Sequence, residues 1–311
     1  MEELIGKSKP IQQIRRKIQQ LAKTDKDVLV IGERGVGKSV VAKNIHFFSP
    51  NATKPVIHLD LTTIEELKLR SIVDSILTKR EFVNAEISGR RRIDLPEGTS
   101  LIIDRVEQTS VPAQKIVVNL LRELGQKTRG MRVMLLLSLE SLESPRASKL
   151  IGGFKEDLKG WQKIIVPPLR NRREDIPDLI DYFVRRAAED LGIGEVAIDI
   201  NAVSLLARKE WKGNVQQLKN FVDQALMLSE DKETFTLPES LIDEQSELAE
   251  MLQRIDDGIE FAIDRSMELI ERRILERVLN KFGFNQSRAA RFLKITEDTL
   301  RYRMKKLGIH S

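Results

Sequence analysis

The sequence predicts an α/β fold in which helices cover both faces of a parallel sheet, followed by segments that are helical throughout. Three observations lead to this prediction. Short apolar runs alternate with amphipathic helical patterns over residues 1–170. A glycine-rich turn joins the first of these runs to a helix, as in a βα unit. Beyond residue 170 the strand patterns stop, and only helical periodicity continues.

The first apolar run, residues 28–31, leads into a motif of the form G-x-x-x-x-G-K-[ST] at residues 32–39. In such a loop the backbone N–H groups surround phosphates, the lysine reaches the outer phosphates, and the hydroxyl holds Mg²⁺. The helix that begins near Lys38 directs the positive end of its dipole at the same anion. The sequence therefore predicts a phosphate-binding loop, and an ordinary glycine-rich turn is the alternative. The candidate binding residues are Gly32, Glu33, Arg34, Gly35, Val36, Gly37, Lys38 and Ser39.

The remaining strands and helices follow from the same periodicities. Further strands are predicted within residues 54–61, 98–108, 131–139 and 162–169. In the second of these segments an apolar run ends directly before Asp104. Helices are predicted at residues 112–124, 175–191, 201–209 and 214–229. The last three would form an all-helical subdomain, with Asn214 as a helix N-cap.

Composition excludes several kinds of site. The chain has 311 residues, no cysteine and three histidines. Disulfides, thiol nucleophiles and thiolate metal sites are therefore excluded, and a histidine metal site or a His-based triad is not expected. No stretch approaches the length of a membrane span, and the N-terminus lacks an apolar signal core. We therefore expect a cytoplasmic protein without membrane contact.

Charge is distributed unevenly towards the C-terminus. Residues 238–264 contain nine acidic side chains and one basic side chain, a net charge of −8. Residues 265–311 contain twelve basic and five acidic side chains, a net charge of +7. A basic module behind an acidic connector is expected to meet a polyanion, while the connector stays solvated. A solvated charged helix would have the same composition.

The basic module contains predicted helices at residues 263–282, 286–293 and 297–307. In the last helix Leu300, Met304 and Leu307 form an apolar stripe at helical spacing. The remaining face is basic, as in a recognition helix that lies in a DNA major groove with flanking phosphate contacts. Tyr302 and Arg303 are the candidates for contacts with base edges. The full set of candidate DNA-binding residues is Thr299, Arg301, Tyr302, Arg303, Lys305 and Lys306.

Six segments of the sequence are characteristic when taken in order. They are LIGKSKPIQQI, GERGVGKSVVAKNIHFFSP, EGTSLIID, VPPLRNRREDIPDLIDYF, WKGNVQQLKN and NQSRAARFLKITEDTLRYRMKKLGI. Together they resemble the bacterial enhancer-binding proteins, AAA+ regulators that activate sigma-54 promoters and end in a Fis-type helix-turn-helix. The resemblance implies ATP or ADP with Mg²⁺ as ligands. It also implies an AAA+ α/β core at residues 1–170, a helical lid at 171–237, an acidic linker at 238–264 and a Fis-type DNA-binding domain at 265–311.

By this resemblance Asp104 is the first acid of the Walker B strand and would hold Mg²⁺ together with Ser39. The family has a glutamate at the next position, where it polarises the attacking water. This chain has Arg105 there, and a guanidinium has no acceptor for a water proton. Glu107 is near in sequence, but a two-residue shift along a strand moves a carboxylate by about 6–7 Å. Two roles stay open for Arg105, a clamp on the γ-phosphate or pairing with a nearby carboxylate.

Other catalytic positions of the family are also changed. By the resemblance the sensor asparagine is Ser138, and the sensor arginine of the lid is Gln216. The segment that supplies arginines to a neighbouring subunit has Lys155 and Trp161 instead. Loss of an arginine finger alone costs about 10³- to 10⁵-fold in rate. We therefore expect hydrolysis to be very slow or absent, and a divergent active site in which other residues restore the chemistry is the alternative.

The family's GAFTGA loop, which touches sigma-54, has no counterpart here. The corresponding segment, residues 77–92, contains none of that sequence. Its basic run at 90–92 is expected to lie in a solvated loop, and a nucleic-acid contact is the alternative. Contact with sigma-54 therefore has little support. Because the AAA+ pattern begins almost at residue 1, we expect no receiver or ligand-sensing domain before it.

The predicted helix at 263–282 carries an apolar stripe, which in Fis-type modules pairs with a second copy. Such a dimer would present two recognition helices about one DNA turn apart to a pseudo-palindromic site. Packing of the stripe within one subunit is the alternative. The resemblance also implies that the AAA+ domains can assemble into a ring.

The leading hypothesis is a sequence-specific, DNA-binding transcription regulator that is independent of sigma-54 and binds ATP with little hydrolysis. The first alternative is an active AAA+ ATPase activator of divergent type. The second is a non-hydrolysing adaptor that assembles with an intact AAA+ family member and tunes its activity.

Overall fold

The computed structural model describes most of the chain. The described residues are 3–84, 91–126, 130–139, 142, 150–229, 233–237, 271–272, 274–276, 278–279 and 282–309. They belong to two compact units, Met1–Ile242 and Asp243–Ser311. The predicted linker at 238–264 and the first part of the predicted helix at 263–282 lie outside the described residues.

The secondary structure alternates between strands and helices, as the apolar periodicity predicts. The strands are β1 Val28–Ile31, β2 Val56–Asp60, β3 Glu81–Asn84, β4 Arg91–Asp94, β5 Ser100–Asp104, β6 Arg132–Leu137, β7 Gln162–Ile165, β8 Ala197–Ile198 and β9 Thr234–Phe235. The helices of the first unit are α1 Lys9–Ala22, α2 Lys38–Phe47, α3 Glu66–Lys79, α4 Val111–Gln126, α5 Phe154–Asp157, α6 Ile176–Leu191, α7 Ile200–Arg208 and α8 Asn214–Leu228. Those of the second unit are α9 Gln286–Phe292 and α10 Glu297–Lys306.

The central sheet has five parallel strands in the order β2-β5-β6-β1-β7. Side chains of β1 alternate between two cores, because successive residues of a strand point to opposite faces. Leu29 and Ile31 pack in the core that includes α3 and α4, whereas Val28 and Val30 pack in the core that includes α1 and α2. Burial on both faces explains the continuous apolar run and confirms the predicted α/β class with helices on both faces.

Parallel strands direct their carboxyl ends to one edge of the sheet, where ligands of such folds bind. At this edge β1 ends at the phosphate loop, β2 ends at Asp60, β5 ends at Asp104 and β6 ends just before Ser138. The fold therefore brings together residues that are far apart in the sequence.

Helices α6, α7 and α8 form the helical subdomain predicted after the sheet. Its core contains Phe183, Trp211, Leu218 and Val222, all of which are buried. The prediction that strands stop at residue 170 is wrong in one detail. Strands β8 and β9, of two residues each, pair in parallel beside these helices.

The expected N-cap role of Asn214 is also wrong. Helix α8 has Gly213 at its cap position, and Asn214 is the first helical residue, with a left-handed φ of 56°. The Asn214 side chain contacts the phosphate loop instead of the first turn of α8. Here the tertiary contact prevails over the local preference of asparagine for capping.

Strands β3 and β4 form an antiparallel pair between α3 and β5. The expected solvated loop at 90–92 is therefore wrong for Arg91 and Arg92, which lie in β4. Phe82 and Ile93 are register partners and pack together against the core of the sheet. Cross-strand apolar packing of this kind stabilises a hairpin. The residues that connect the two strands, 85–90, lie outside the described residues.

In the second unit the described residues between 271 and 279 are helical. Leu279 from this segment packs with Leu300 of α10 in a small core. Thr296 caps α10, because its Oγ1 accepts a hydrogen bond from the backbone N–H of Thr299 at 3.1 Å. Among the described residues, no helix is both long and apolar enough to cross a membrane.

Candidate functional site

The phosphate loop joins β1 to α2 at the carboxyl edge of the sheet. Gly37 stands immediately before α2 with a φ of +100°, in the left-handed region where a residue with a Cβ is strained. Helix α2 then begins at Lys38, so its N-terminus, with unpaired N–H groups and a positive dipole, faces the loop. This arrangement can bind an anion such as phosphate.

Lys38 lies inside the loop and is 7 % exposed. Its Nζ donates hydrogen bonds to the carbonyl oxygens of Gly32 and Glu33, at 2.9 Å each, and to Ser138 Oγ at 3.0 Å. Burial lowers the pKa of Lys38, and the negative charge of Asp104 counteracts that shift. The loop therefore holds a largely desolvated ammonium group. A bound phosphate would give this group a negatively charged partner.

Asp104 and Glu107 each have one buried carboxylate oxygen, Oδ1 and Oε2, with no hydrogen-bond partner among the described residues. The other Asp104 oxygen, Oδ2, lies 3.8 Å from His58 Nε2 and 3.9 Å from Arg105 Nε. A buried oxygen without a partner costs free energy, so a ligand is expected there. Mg²⁺ bound by Asp104 and the Ser39 hydroxyl would satisfy it.

No group of three or more His, Cys, Asp or Glu side chains that could hold a metal ion occurs in the part of the chain that the structure describes. A Mg²⁺ ion at Asp104 would therefore take its remaining ligands from phosphate oxygens and water, which is the usual coordination of Mg²⁺ in phosphate sites.

Arg105 follows β5 with a left-handed φ of 62°. Its Nη2 lies 2.6 Å from Asp60 Oδ2 at the end of the neighbouring strand β2, and its Nη1 donates to Thr62 Oγ1 at 3.1 Å. Of the two roles left open by the sequence, the structure has the pairing with a carboxylate. The Arg105 guanidinium, which cannot accept a proton from water, is thus fixed beside Asp104, the aspartate expected in the Walker B strand.

Glu107 lies in the short 3₁₀ helix Val106–Gln108 and is 4 % exposed. Its Oε1 accepts hydrogen bonds from the Ser138 backbone N–H and from Gln108 Nε2, both at 3.1 Å. The hydroxyl of the same Ser138 accepts from Lys38. The fold therefore places the Glu107 carboxylate at the end of β6, near the phosphate loop, which sequence separation alone did not predict.

Gln216 lies on α8 and lines the cleft between the loop and the lid helices. Its Nε2 donates to Asn220 Oδ1 at 2.9 Å, so the side chain is held along its own helix. Lys155 is exposed on α5, and Trp161 is half-buried against the core of the sheet. Neither is among the described residues that line the cleft.

The cleft has a volume of about 870 Å³. The phosphate loop forms one wall, and apolar side chains from the N-terminal segment and α6 form another. These apolar side chains are Leu4, Ile5, Leu179 and Phe183. An apolar wall facing an anion-binding loop suits a ligand with a flat base at one end and phosphates at the other.

The outer face of α10 carries the predicted DNA-binding residues. Arg301, Tyr302, Arg303, Lys305 and Lys306 are exposed, and Thr299 is half-buried. Two of the arginines have partners within this unit. Arg303 Nη1 donates to Glu271 Oε1 at 2.6 Å, and Arg301 Nε donates to Gln286 Oε1 at 3.1 Å. Tyr302, which is 69 % exposed, is therefore the better placed candidate for a base edge, since Arg303 would first have to leave Glu271.

Three protein families match successive parts of the chain. The Sigma-54 interaction domain matches residues 4–136, the AAA+ ATPase lid domain matches residues 170–253, and the Fis family of bacterial regulatory proteins matches residues 266–307.

Curated relatives match almost the whole chain. Nitrogen fixation protein VnfA of Azotobacter vinelandii is 29 % identical over 99 % of this chain and 59 % of its own length. The Nif-specific regulatory protein of Klebsiella pneumoniae has the same three values, 29 %, 99 % and 59 %. Nitrogen assimilation regulatory protein NtrX of Azorhizobium caulinodans is 27 % identical over 98 % of this chain and 69 % of its own length. The chain spans less than two thirds of the length of the first two relatives.

Solved structures have the same fold. NtrX from Brucella abortus in complex with ATP has a TM-score of 0.65 at 24 % identity, covering 99 % of this chain and 70 % of that chain. The same protein in complex with ADP has a TM-score of 0.60 at 26 % identity, covering 98 % and 69 %. With a sigma-54 interaction domain, an AAA+ lid and a Fis-family helix-turn-helix in that order, the chain belongs to the bacterial enhancer-binding protein family.

Proposed function

We propose that this chain is a cytoplasmic transcription regulator that binds a specific double-stranded DNA site. Its AAA+ domain binds ATP or ADP with Mg²⁺ and hydrolyses ATP very slowly or not at all. The observation that carries the proposal is the contrast at one sheet edge. The loop around Lys38 has every residue of the G-x-x-x-x-G-K-[ST] motif. By contrast, Arg105 stands where the family has its water-polarising glutamate, and it is paired with Asp60 at 2.6 Å. The proposed regions are residues 1–170, 171–237, 238–264 and 265–311, as core, lid, linker and DNA-binding domain.

Three features support nucleotide binding. The loop and the N-terminus of α2 form an anion site. The unpartnered Asp104 Oδ1, with Ser39, suits the Mg²⁺ that accompanies nucleotide phosphates and neutralises their charge. The apolar wall of the cleft suits a base. NtrX from Brucella abortus, which is 26 % identical to this chain, was crystallised in complex with ADP.

Slow hydrolysis is supported by the groups at the phosphate end of the cleft. Arg105 cannot accept a proton from water. The Ser138 hydroxyl accepts from Lys38, and neither it nor the amide of Gln216 brings positive charge to a phosphate. Lys155 and Trp161 lack the bidentate fork that an arginine finger gives to a neighbouring subunit.

A steady-state ATPase assay tests this part, with Lys38→Ala as the blank. We expect the wild-type chain to bind ADP and to show turnover no faster than the blank. Turnover on the order of one per second that disappears in Lys38→Ala would contradict the proposal, since that is the range of active enzymes.

One observation favours a second candidate function, an active ATPase of divergent type. The buried Glu107 Oε2 has no partner among the described residues, and its carboxylate lies beside Ser138 at the end of β6. If Glu107 polarises water, Glu107→Gln will lower turnover by about 10²-fold or more while ADP affinity stays unchanged. Equal turnover in Glu107→Gln and wild type would remove this candidate.

Independence of sigma-54 is supported by residues 77–92. This segment lacks the GAFTGA sequence, and its described part forms the end of α3 and the β3–β4 hairpin. We expect no co-elution of the chain with sigma-54 in the presence of ATP or a transition-state analogue. A stable complex under those conditions would contradict this part.

The exposed basic face of α10 supports DNA binding. We propose a dimer through the C-terminal helices on a pseudo-palindromic site, with AAA+ domains that can assemble into a ring. Tyr302→Ala should weaken specific binding about 10-fold and leave non-specific binding unchanged, as expected for a base contact. Lys305→Ala should weaken both and reduce the salt dependence, as expected for a phosphate contact. Genomic footprinting without an enriched inverted repeat would contradict the dimeric model.

A further inference from the structure

The carbonyl groups of the phosphate loop all accept hydrogen bonds. Lys38 Nζ donates to the carbonyls of Gly32 and Glu33 at 2.9 Å each. The carbonyl of Gly37 accepts from Val41 N–H of α2 at 3.2 Å. The carbonyls at the two ends of the loop are therefore hydrogen-bonded to groups of helix α2.

The three carbonyls in the middle of the loop accept from outside it, from residues between β7 and the first turn of α8. The bonds are from Asn214 Nδ2 to Arg34 O at 2.9 Å, from Gln216 N–H to Gly35 O at 3.1 Å and from Arg172 Nη2 to Val36 O at 2.7 Å. Three consecutive peptide groups are thus oriented by the lid side of the cleft.

This orientation matters for phosphate binding because a trans peptide group directs its C=O and its N–H in opposite directions. With the carbonyls of residues 34, 35 and 36 turned towards the lid, the N–H groups of residues 35, 36 and 37 are turned to the inside of the loop. Those N–H groups are the donors that surround phosphates in loops of this kind.

Asn214 is held rigidly enough to set this orientation. It is fully buried, with 0 % of its surface exposed. Its Oδ1 accepts from Leu169 N–H at 2.8 Å, while its Nδ2 also lies 3.2 Å from Glu33 Oε2. Both ends of the amide are therefore engaged, which fixes the direction in which Nδ2 meets Arg34.

We propose that Asn214 is a positioning residue for the phosphate site: it orients the loop N–H groups that bind the second phosphate of a nucleotide. The Gln216 N–H and the Arg172 guanidinium orient the next two peptide groups of the loop in the same way. The inference rests on the proposed nucleotide binding. By linkage, a bound diphosphate strengthens the docking of the lid on the loop as much as the docked lid strengthens phosphate binding.

The test compares ADP with AMP, which lacks the second phosphate, on the full chain. Asn214→Gly removes the amide and suits the φ of 56° at this position. We expect ADP affinity to fall about 10- to 100-fold and AMP affinity, measured by competition with a fluorescent ADP, to change less than about 2-fold. Asn201→Gly is the matched control, since Asn201 is exposed on α7, and both affinities should stay unchanged.

Asn214→Asp keeps the test informative if the glycine variant does not fold. The carboxylate can still accept from Leu169 N–H but has no donor for Arg34 O. Because Glu33 Oε2 lies 3.2 Å from the Nδ2 position, Glu33→Gln must accompany Asn214→Asp, and Glu33→Gln alone is the reference. Relative to that reference, ADP affinity should again fall selectively. Unchanged ADP affinity in a folded variant, or an equal loss for ADP and AMP, would overturn the positioning role. Failure of the wild-type chain to bind ADP would refute the nucleotide site itself, and this inference with it.

Discussion

The phosphate loop and the strand edge beside it face the same cleft, but their charges are arranged differently. In the loop the Lys38 ammonium is held by two carbonyls and a hydroxyl, none of which neutralises it. At the strand edge the Arg105 guanidinium lies 2.6 Å from the Asp60 carboxylate, so the two charges compensate each other. An anion can gain from the first cation but gains little from the second. Binding a phosphate and activating water thus depend on different atoms, and one capacity can be lost while the other remains.

The largest effect is expected at Lys38, because its ammonium is buried and, among the described residues, its hydrogen-bond partners are two carbonyls and a hydroxyl. Lys38→Ala should lower ADP affinity by about 100-fold or more, the loss expected for a desolvated charge-assisted contact. Lys115→Ala, an exposed lysine on α4, should leave affinity unchanged. Titration with a fluorescent ADP measures both variants. A loss of ADP affinity of less than about 3-fold would contradict this prediction, because the phosphate loop would then not be the part of the cleft that binds the phosphates.

A smaller effect is expected from rebuilding the strand edge. Arg105→Glu alone would place a second carboxylate near Asp60, so Asp60→Asn must accompany it. The double variant should hydrolyse ATP about 10- to 100-fold faster than Arg105→Gln with Asp60→Asn, since a general base contributes about 10²- to 10⁴-fold.

The glutamine double variant is the matched control, because it has the same shape without the proton acceptor. Single-turnover measurement of phosphate release distinguishes the two. Equal rates would mean that Arg105 in place of glutamate is not what limits hydrolysis. The limit would then lie at Ser138 and Gln216.

The elements that form this cleft could largely be predicted from the sequence, because apolar periodicity is local. The strands of the central sheet and helices α6 to α8 lie within a few residues of their predicted positions. Helix α1 is absent from the sequence-based prediction, although its signals are present. Ser8 caps it, a proline stands in its first turn, and Ile11, Ile14 and Ile18 follow at helical spacing.

The contacts that decide the chemistry could not be predicted in the same way. Asp60 meets Arg105 only because β2 lies beside β5, and that neighbourhood depends on strand order rather than on a local pattern. Asn214 has the local signature of a helix cap, but the packing of α8 against the loop gives its amide other partners. Residue types and motifs indicate which groups are present, and only the fold determines their pairing.

Asp60→Asn alone should produce a modest change in the preference between ATP and ADP. Without the Asp60 carboxylate, Arg105 keeps the more distant Asp104 as a partner, at 3.9 Å, so its charge is less compensated and can attract the additional negative charge of ATP. The ratio of ATP to ADP affinity should rise by about 3- to 10-fold, as measured by competition titrations. Asp74→Asn, an exposed acid on α3, should leave the ratio unchanged. An unchanged ratio in Asp60→Asn would show that Arg105 lies too far from the third phosphate to act on it.

The smallest effect is expected in the pH dependence of ADP affinity, which tests Lys38 in the phosphate loop. Burial lowers the pKa of Lys38 from 10.5, and the phosphates of bound ADP would raise it again. Binding at a pH near the lowered pKa therefore takes up a proton, so ADP affinity should fall as the pH rises towards 10.5. Over the alkaline range below pH 10.5 we expect a decrease of about 2- to 5-fold; the phosphates, with a second pKa near 6, no longer titrate there.

Lys38→Arg provides the control for this titration, because a guanidinium stays protonated throughout the range. Its ADP affinity should be weaker, owing to the larger head group in a buried loop, but independent of pH. The same decrease in the arginine variant would assign the pH dependence to other groups of the cleft. A flat profile in the wild-type chain would mean that the carbonyls of the loop and Asp104 keep Lys38 charged, so that the loop binds phosphate equally well at every pH tested.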